Sequence, residues 1–163
     1  MPTRPAFIRH WQELEQEDCP PYPGSDERMA FGAPLGRALG LTRTGIHHER
    51  LLPGRRLSWP HAESHEEEFV YVLEGTPDVW INGECYPLIP GDAVAFPAGT
   101  GICHTFINNG DAEARFLVVG EANKPDNRIW YPLHPDYAAT RDDRWENPPP
   151  QMMGAHEGKP ARK

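Results

Sequence analysis

Between Gly45 and Glu121 no extended segment of this chain runs far before a turn signal stops it. A first segment, 46–52, ends at Pro53-Gly54, and a second, 57–61, carries Pro60 within it. Segment 68–73 leads to Gly75, and segments 77–81 and 84–89 flank Asn82-Gly83. Pro90-Gly91-Asp92 turns the chain into 93–97, and segments 103–107 and 114–119 flank a second Asn-Gly, Asn109-Gly110. Asn-Gly is a strong hairpin signal because both residues tolerate positive φ. Short segments at this spacing, with no helical periodicity, point to an antiparallel sandwich or barrel. The 19 Pro and 15 Gly in 163 residues favour turns and strands over helices.

One stretch of this β-rich region is crowded with metal-ligand side chains. It reads His61-Ala-Glu63-Ser-His65-Glu-Glu-Glu68, and one more histidine, His104, follows at a distance. On a strand successive side chains alternate between faces, so His61, Glu63 and His65 are expected to point the same way. The next segment, Phe69-Val-Tyr-Val-Leu73, is apolar on both faces. If Glu68 points inward, so do Val70 and Val72, while Phe69, Tyr71 and Leu73 point outward. A sheet with one face in water alternates apolar with polar, so that outward side is expected to be covered by the terminal arms or by a second copy of the chain. Imidazoles and carboxylates beside an apolar strand suggest a divalent metal held inside a β-barrel.

The spacing of these residues resembles the cupin superfamily. Glu68, six residues and Gly75 match the end of its first motif. Gly91, five residues, Pro97-x-Gly99, then His104, three residues and Asn108 follow its second motif. The resemblance spans about 45–121, roughly half the chain. The chain departs from the pattern in three places. Gly54 stands one residue too far from His61. Two extra residues fall between Gly99 and His104. The second histidine of the first motif falls on Glu63, with His65 two positions further along. The resemblance implies an all-β, antiparallel double-sheet jelly-roll barrel over 45–122. An N-terminal arm over 1–44 packs on it, and a C-terminal extension and mobile tail occupy 123–163.

It also implies one divalent metal ion per chain, drawn from His61, Glu63, His65, Glu68 and His104. Two histidines and a carboxylate with open positions is the set used by non-haem Fe(II) oxygenases, and such a site also serves as a Lewis acid. Either Glu63 or His65 supplies a fourth ligand. With Glu63 the set is neutral around a divalent ion, which favours Fe²⁺ or Mn²⁺, with Zn²⁺ or Ni²⁺ as alternatives. The implied function is metal-dependent enzyme chemistry on a small molecule. Dioxygenation of a small organic substrate comes first and isomerisation or epimerisation of a sugar-like substrate second. A non-enzymatic small-ligand binding module is the other class, because fold does not fix function. No residue outside the ligand set stands out in the sequence as a general base.

The remaining readings are exclusions and fillers. A net charge of −8 argues against nucleic acid or an anionic membrane as partner. No apolar run approaches the ~20 residues of a membrane span, and residues 1–10 lack a signal-peptide apolar region. Cys19, Cys85 and Cys103 show no CxxC spacing and read as reduced thiols of a cytoplasmic protein. Cys103, next to His104, faces away from the site as an apolar filler. His47 and His48 read as surface or capping residues, and Trp59 and Trp80 as core. Trp11 to Leu14 suits one helical turn, and Asn108 organises backbone at a strand end. The aromatic segment 129–135 packs on the barrel and, with the outer face of 69–73, suggests a homodimer.

Overall fold

In the computed structural model, which describes residues 4–16, 22–122 and 124–161, the Asn82-Gly83 turn fixes one hairpin. Asn82 (φ 48°) and Gly83 (φ 93°) both lie in the left-handed region, as a two-residue hairpin loop requires. The chain forms β1 (Phe31–Ala33), the short helix α1 (Leu35–Ala38), β2 (Thr44–Leu51), β3 (Ala62–Glu63), β4 (Glu68–Glu74) and β5 (Asp78–Ile81). It continues through β6 (Glu84–Pro87), β7 (Ala93–Phe96), β8 (His104–Ile107), β9 (Ala114–Glu121), β10 (Ile129–Trp130) and α2 (Pro135–Ala139). A five-stranded sheet runs β1-β2-β9-β4-β7, a three-stranded sheet runs β6-β5-β8, and β10 pairs with β3. All pairs between these strands are antiparallel. This is the expected double-sheet jelly roll.

The two sheets share one core. Leu51, Val70, Val72 and Phe116 from the larger sheet pack with Val79 and Phe106 from the smaller, all buried. The expected alternation in β4 holds: Val70 and Val72 are fully buried, while Phe69, Tyr71 and Leu73 are 38–40% exposed. Among the described residues the N-terminal arm meets that outer face around β2 and Arg115 of β9. There Trp11 stacks on His48 with ring centroids 4.2 Å apart. His48 is therefore buried, not the surface or capping residue expected.

Two further expectations are corrected. Segment 57–61 is not a strand: it bends through Pro60 and meets β8 at isolated bridges, Arg56–Ile107 and His61–His104, and through Ser58–Thr105 hydrogen bonds rather than a continuous ladder. Trp59 causes the departure, because its ring is drawn between Tyr22 and His134, at 4.2 and 3.8 Å, in an aromatic cluster away from the ladder. The second Asn-Gly makes no hairpin. β8 pairs with β5 and β9 with β2 and β4, so 108–113 passes from one sheet to the other. Asn109 spends its amide on Asp78 Oδ2 (2.7 Å) and the Ala161 N–H (2.8 Å).

The smaller sheet is covered on its outer face as well. Trp80, Cys103 and Ile107 are fully buried there, and the partly buried Trp130 and Trp145 pack against them. The C-terminal segment lies along the same face. Gly154 N–H donates to Asn82 O (2.7 Å), Trp80 Nε1–H to His156 O (2.8 Å) and Arg56 Nη1–H to Gly158 O (2.7 Å). Gly154 is pressed so closely on Gly83 that a Cβ on either would meet backbone at 2.3–2.5 Å. As expected, Asn108 organises the strand end, donating to Leu51 O and Ala112 O, both at 2.8 Å. Trp11–Glu13 forms a 3₁₀ turn. Cys19 lies outside the described residues. No helix among the described residues is long and apolar enough to cross a membrane.

Candidate metal centre

Three of the five candidate ligands meet. His61 sits at the bend before β3, Glu68 opens β4 and His104 opens β8. Their ligand atoms all lie within 4.8 Å of one another. The bridge between His61 and His104 sets the two imidazoles side by side: His104 N–H donates to His61 O (2.9 Å), His61 N–H to His104 O (3.2 Å), and the ring centroids are 5.0 Å apart. Phe96 stacks flat on His104 at 3.5 Å and fixes the ring plane.

Backbone carbonyls select the tautomers. His61 Nδ1 is 2.8 Å from Trp59 O, and His104 Nδ1 is 3.3 Å from Ile102 O. A carbonyl only accepts, so each Nδ1 carries a proton and each Nε2 is the ring nitrogen turned toward the site. On His104 that Nε2 faces Glu68 Oε1 at 3.2 Å. Two imidazoles and a carboxylate converging in this way form a donor set that suits a divalent transition metal. The electrostatics agree. Burial, reinforced by His104, depresses the His61 pKa to about 4, so its ring is neutral at pH 7. Burial pushes the Glu68 carboxyl up, but the hydrogen bond and charge of His104 and the charge of His61 outweigh it and hold the group below its usual range.

Glu63 and His65 are not in this group. The expected strand through His61, Glu63 and His65 stops at Glu63, so strand parity no longer aligns the three. His65 is exposed in the following bend, with Nδ1 on Ser64 Oγ at 2.7 Å. Glu63 pairs with Ile129 of β10. Burial, and then the charges of Glu66 and Glu68, raise its pKa to about 8. Cys103 faces away from the site, and burial pushes its thiol far up, as befits an inert filler.

A pocket of about 150 Å³ opens on the trio. His61, Glu68 and His104 form one part of its wall, and Ser58, Thr105, Val118 and Glu49 form another. A second cavity, of about 290 Å³, lies at the ends of β4, β7 and β9 and is also bounded by Glu68. Glu49 is the residue that sequence reasoning missed. Its signal was the alternation along β2, where His47, Glu49 and Leu51 share the inner face and His48 and Arg50 the outer.

A model of the cupin domain matches residues 47–120. A structure described as a sugar phosphate isomerase of the cupin superfamily, from Silicibacter pomeroyi, is 39% identical. It covers 63% of this chain and 64% of its own, with a TM-score of 0.60. The chain is a cupin-superfamily protein. A structure from Acidithiobacillus ferrooxidans, provisionally named a sugar phosphate isomerase, shares 29% identity over 78% of this cupin and 81% of its own chain, with a TM-score of 0.70. "Polyketide synthase CurC" from Streptomyces cyaneus is 42% identical over 65 residues, 40% of each chain. The chain spans less than half the length of the curated relatives it matches.

Proposed function

We propose that this cupin is a metal-dependent enzyme that isomerises a small hydroxy-carbonyl compound of the sugar type, with the ion held by His61, Glu68 and His104. The observation that carries the reading is the convergence of two imidazoles and one carboxylate on the wall of one pocket. An ion there supplies Lewis-acid polarisation of a carbonyl or hydroxyl oxygen. The pocket sets the size: ~150 Å³ holds a ligand of about six non-hydrogen atoms. That accommodates the reacting end of a sugar. The pocket lining is partly polar, through Ser58, Thr105 and Glu49, which suits hydroxyl groups. Likeness to two structures named as sugar phosphate isomerases favours isomerisation over the other cupin chemistries.

The test is deuterium uptake. Fe²⁺- or Mn²⁺-loaded protein is expected to exchange carbon-bound hydrogen of dihydroxyacetone or dihydroxyacetone phosphate in D₂O, read by mass spectrometry after quenching. His104→Ala is expected to abolish it. The second reading is dioxygenation, favoured by the two-histidine, one-carboxylate set. Oxygen consumption by the Fe²⁺ protein with no deuterium uptake would decide for it.

We also propose a homodimer in which a second copy covers the outer face of β4. Phe69, Tyr71 and Leu73 form an exposed apolar row on that face, and rows of this kind mark interfaces. Light scattering at micromolar concentration is expected to give twice the chain mass, and Tyr71→Lys to halve it. A monomer mass for the wild type would contradict this.

A further inference from the structure

We propose that Glu49 is the proton-transferring residue of this site and that His47 positions it. The inference rests on the isomerase reading and supplies what that reading lacks, a carboxylate free of the ligand set. Glu49 projects from the inner face of β2 into the same pocket as His61, Glu68 and His104. Its side chain is 16% exposed, yet its oxygens are not among the converging ligand atoms.

Space for the carboxylate is provided by β1. Gly32 sits opposite Glu49 in the ladder, and a Cβ at Gly32 would stand 3.0 Å from both carboxylate oxygens. The backbone of Gly32 is not in the left-handed region, so the role of glycine here is room, not conformation. His47, two residues back on the same face, brings Nδ1 to 3.5 Å from Glu49 Oε1 and is itself 45% exposed. It touches both the buried carboxylate and solvent.

This placement suits proton transfer between adjacent carbons. Glu49 accepts the proton from the hydroxyl-bearing carbon. The C–H electron pair becomes the enediol double bond, and the carbonyl π pair moves onto its oxygen. The hydroxyl proton crosses to that oxygen, and Glu49 returns its proton to the former carbonyl carbon. Atoms and electrons balance with no co-reactant. Burial, helped by the charges of Glu68 and Glu15, raises the Glu49 pKa, while the hydrogen bond and charge of His47 oppose the rise. A carboxyl tuned upward is better suited than an ordinary one both to take and to give a proton.

The test uses the metal-loaded full chain and the two dihydroxyacetone probes. Glu49→Gln is expected to cut deuterium uptake by ~10²–10⁴-fold, the usual share of a general acid–base group, with metal content unchanged. Gly32→Ala leaves every charge in place but displaces the carboxylate, and is expected to lose up to ~100-fold. His47→Phe removes an influence that lowers the Glu49 pKa, so the acid limb of the uptake profile moves to higher pH. His47→Gln, which keeps a hydrogen bond, restores part of the rate. The charged groups around Glu49 that bear on this limb are His47 on its own strand, Glu68 from β4, Glu15 from the arm, and His61 and His104 across the pocket.

As an independent readout, infrared pH-difference spectra of the same protein should contain a carboxyl band that Glu49→Gln removes. Wild-type uptake that persists in Glu49→Gln would overturn the proposal and leave the isomerase reading standing. No uptake by the wild type on either probe would overturn both. An infrared band unchanged by Glu49→Gln would count against Glu49 alone.

Discussion

Replacing His104 by alanine is expected to weaken metal binding by well over 100-fold. Disturbing a residue that merely orients a ligand costs ~10–100-fold, and His104 is proposed as a ligand itself. Its loss removes one of two imidazole donors and leaves Glu68 without its 3.2 Å partner. His61→Ala is expected to match it. Glu63→Gln and His65→Gln are expected to leave affinity within the range of an indirect disturbance, because neither side chain is in the converging group. Metal titration of the four variants measures this directly. Abolition of binding by Glu63→Gln or His65→Gln would mean that the loop after β3 rearranges to deliver a fourth ligand.

Glu27→Ala is expected to destabilise the fold by about 3–5 kcal/mol, the cost of stranding a buried charge, although Glu27 lies far from any chemistry. Arg56 is fully buried, and Glu27 grips it with two hydrogen bonds, Nε to Oε1 at 2.7 Å and Nη2 to Oε2 at 2.6 Å. Glu27 also accepts from Trp59 Nε1 at 3.1 Å. Removing it leaves an unpaired buried guanidinium and an unsatisfied indole donor. The third contact of Arg56, with Gly158 O, ties the C-terminal segment to the same point. In a urea melt the midpoint should fall steeply, and Arg56→Met should cost less because it strands no buried cation. A change below ~1 kcal/mol, the range of an exposed ion pair, would contradict this account.

The parts of the fold legible in the sequence were those where one local rule decides the outcome. Asn82-Gly83 makes a hairpin because two adjacent residues accept positive φ. β4 alternates because Val70 and Val72 face a core that Phe69 and Tyr71 cannot reach. The illegible parts depend on distant partners. Asn109-Gly110 is the same dipeptide, but its flanking strands belong to different sheets, and the asparagine is consumed by Asp78 and Ala161. Segment 57–61 has strand composition, yet Trp59 is pulled out of line by Tyr22 and His134, neither near it in sequence.

The same distinction runs through the site. His61, Glu68 and His104 could be picked out because the motif spacing binds them to particular strands. Glu63 was a candidate from its motif position and from parity, His65 from its imidazole and the same parity, and parity lapses when a strand ends after two residues. Glu49 left only the weak signal of an acid on the inner face of an ordinary strand. It gains a role only when β1 places Gly32 opposite it and β4 and β8 close the pocket around it.

Anomalous diffraction from crystals of the metal-loaded protein tests the central claim most directly. The account predicts one peak per chain, bound by His61 Nε2, His104 Nε2 and a Glu68 oxygen, with the remaining positions open toward the pocket that Glu49 lines. A peak coordinated by Glu63 or His65, or no peak after loading with Fe²⁺, Mn²⁺, Zn²⁺ and Ni²⁺ in turn, would contradict it.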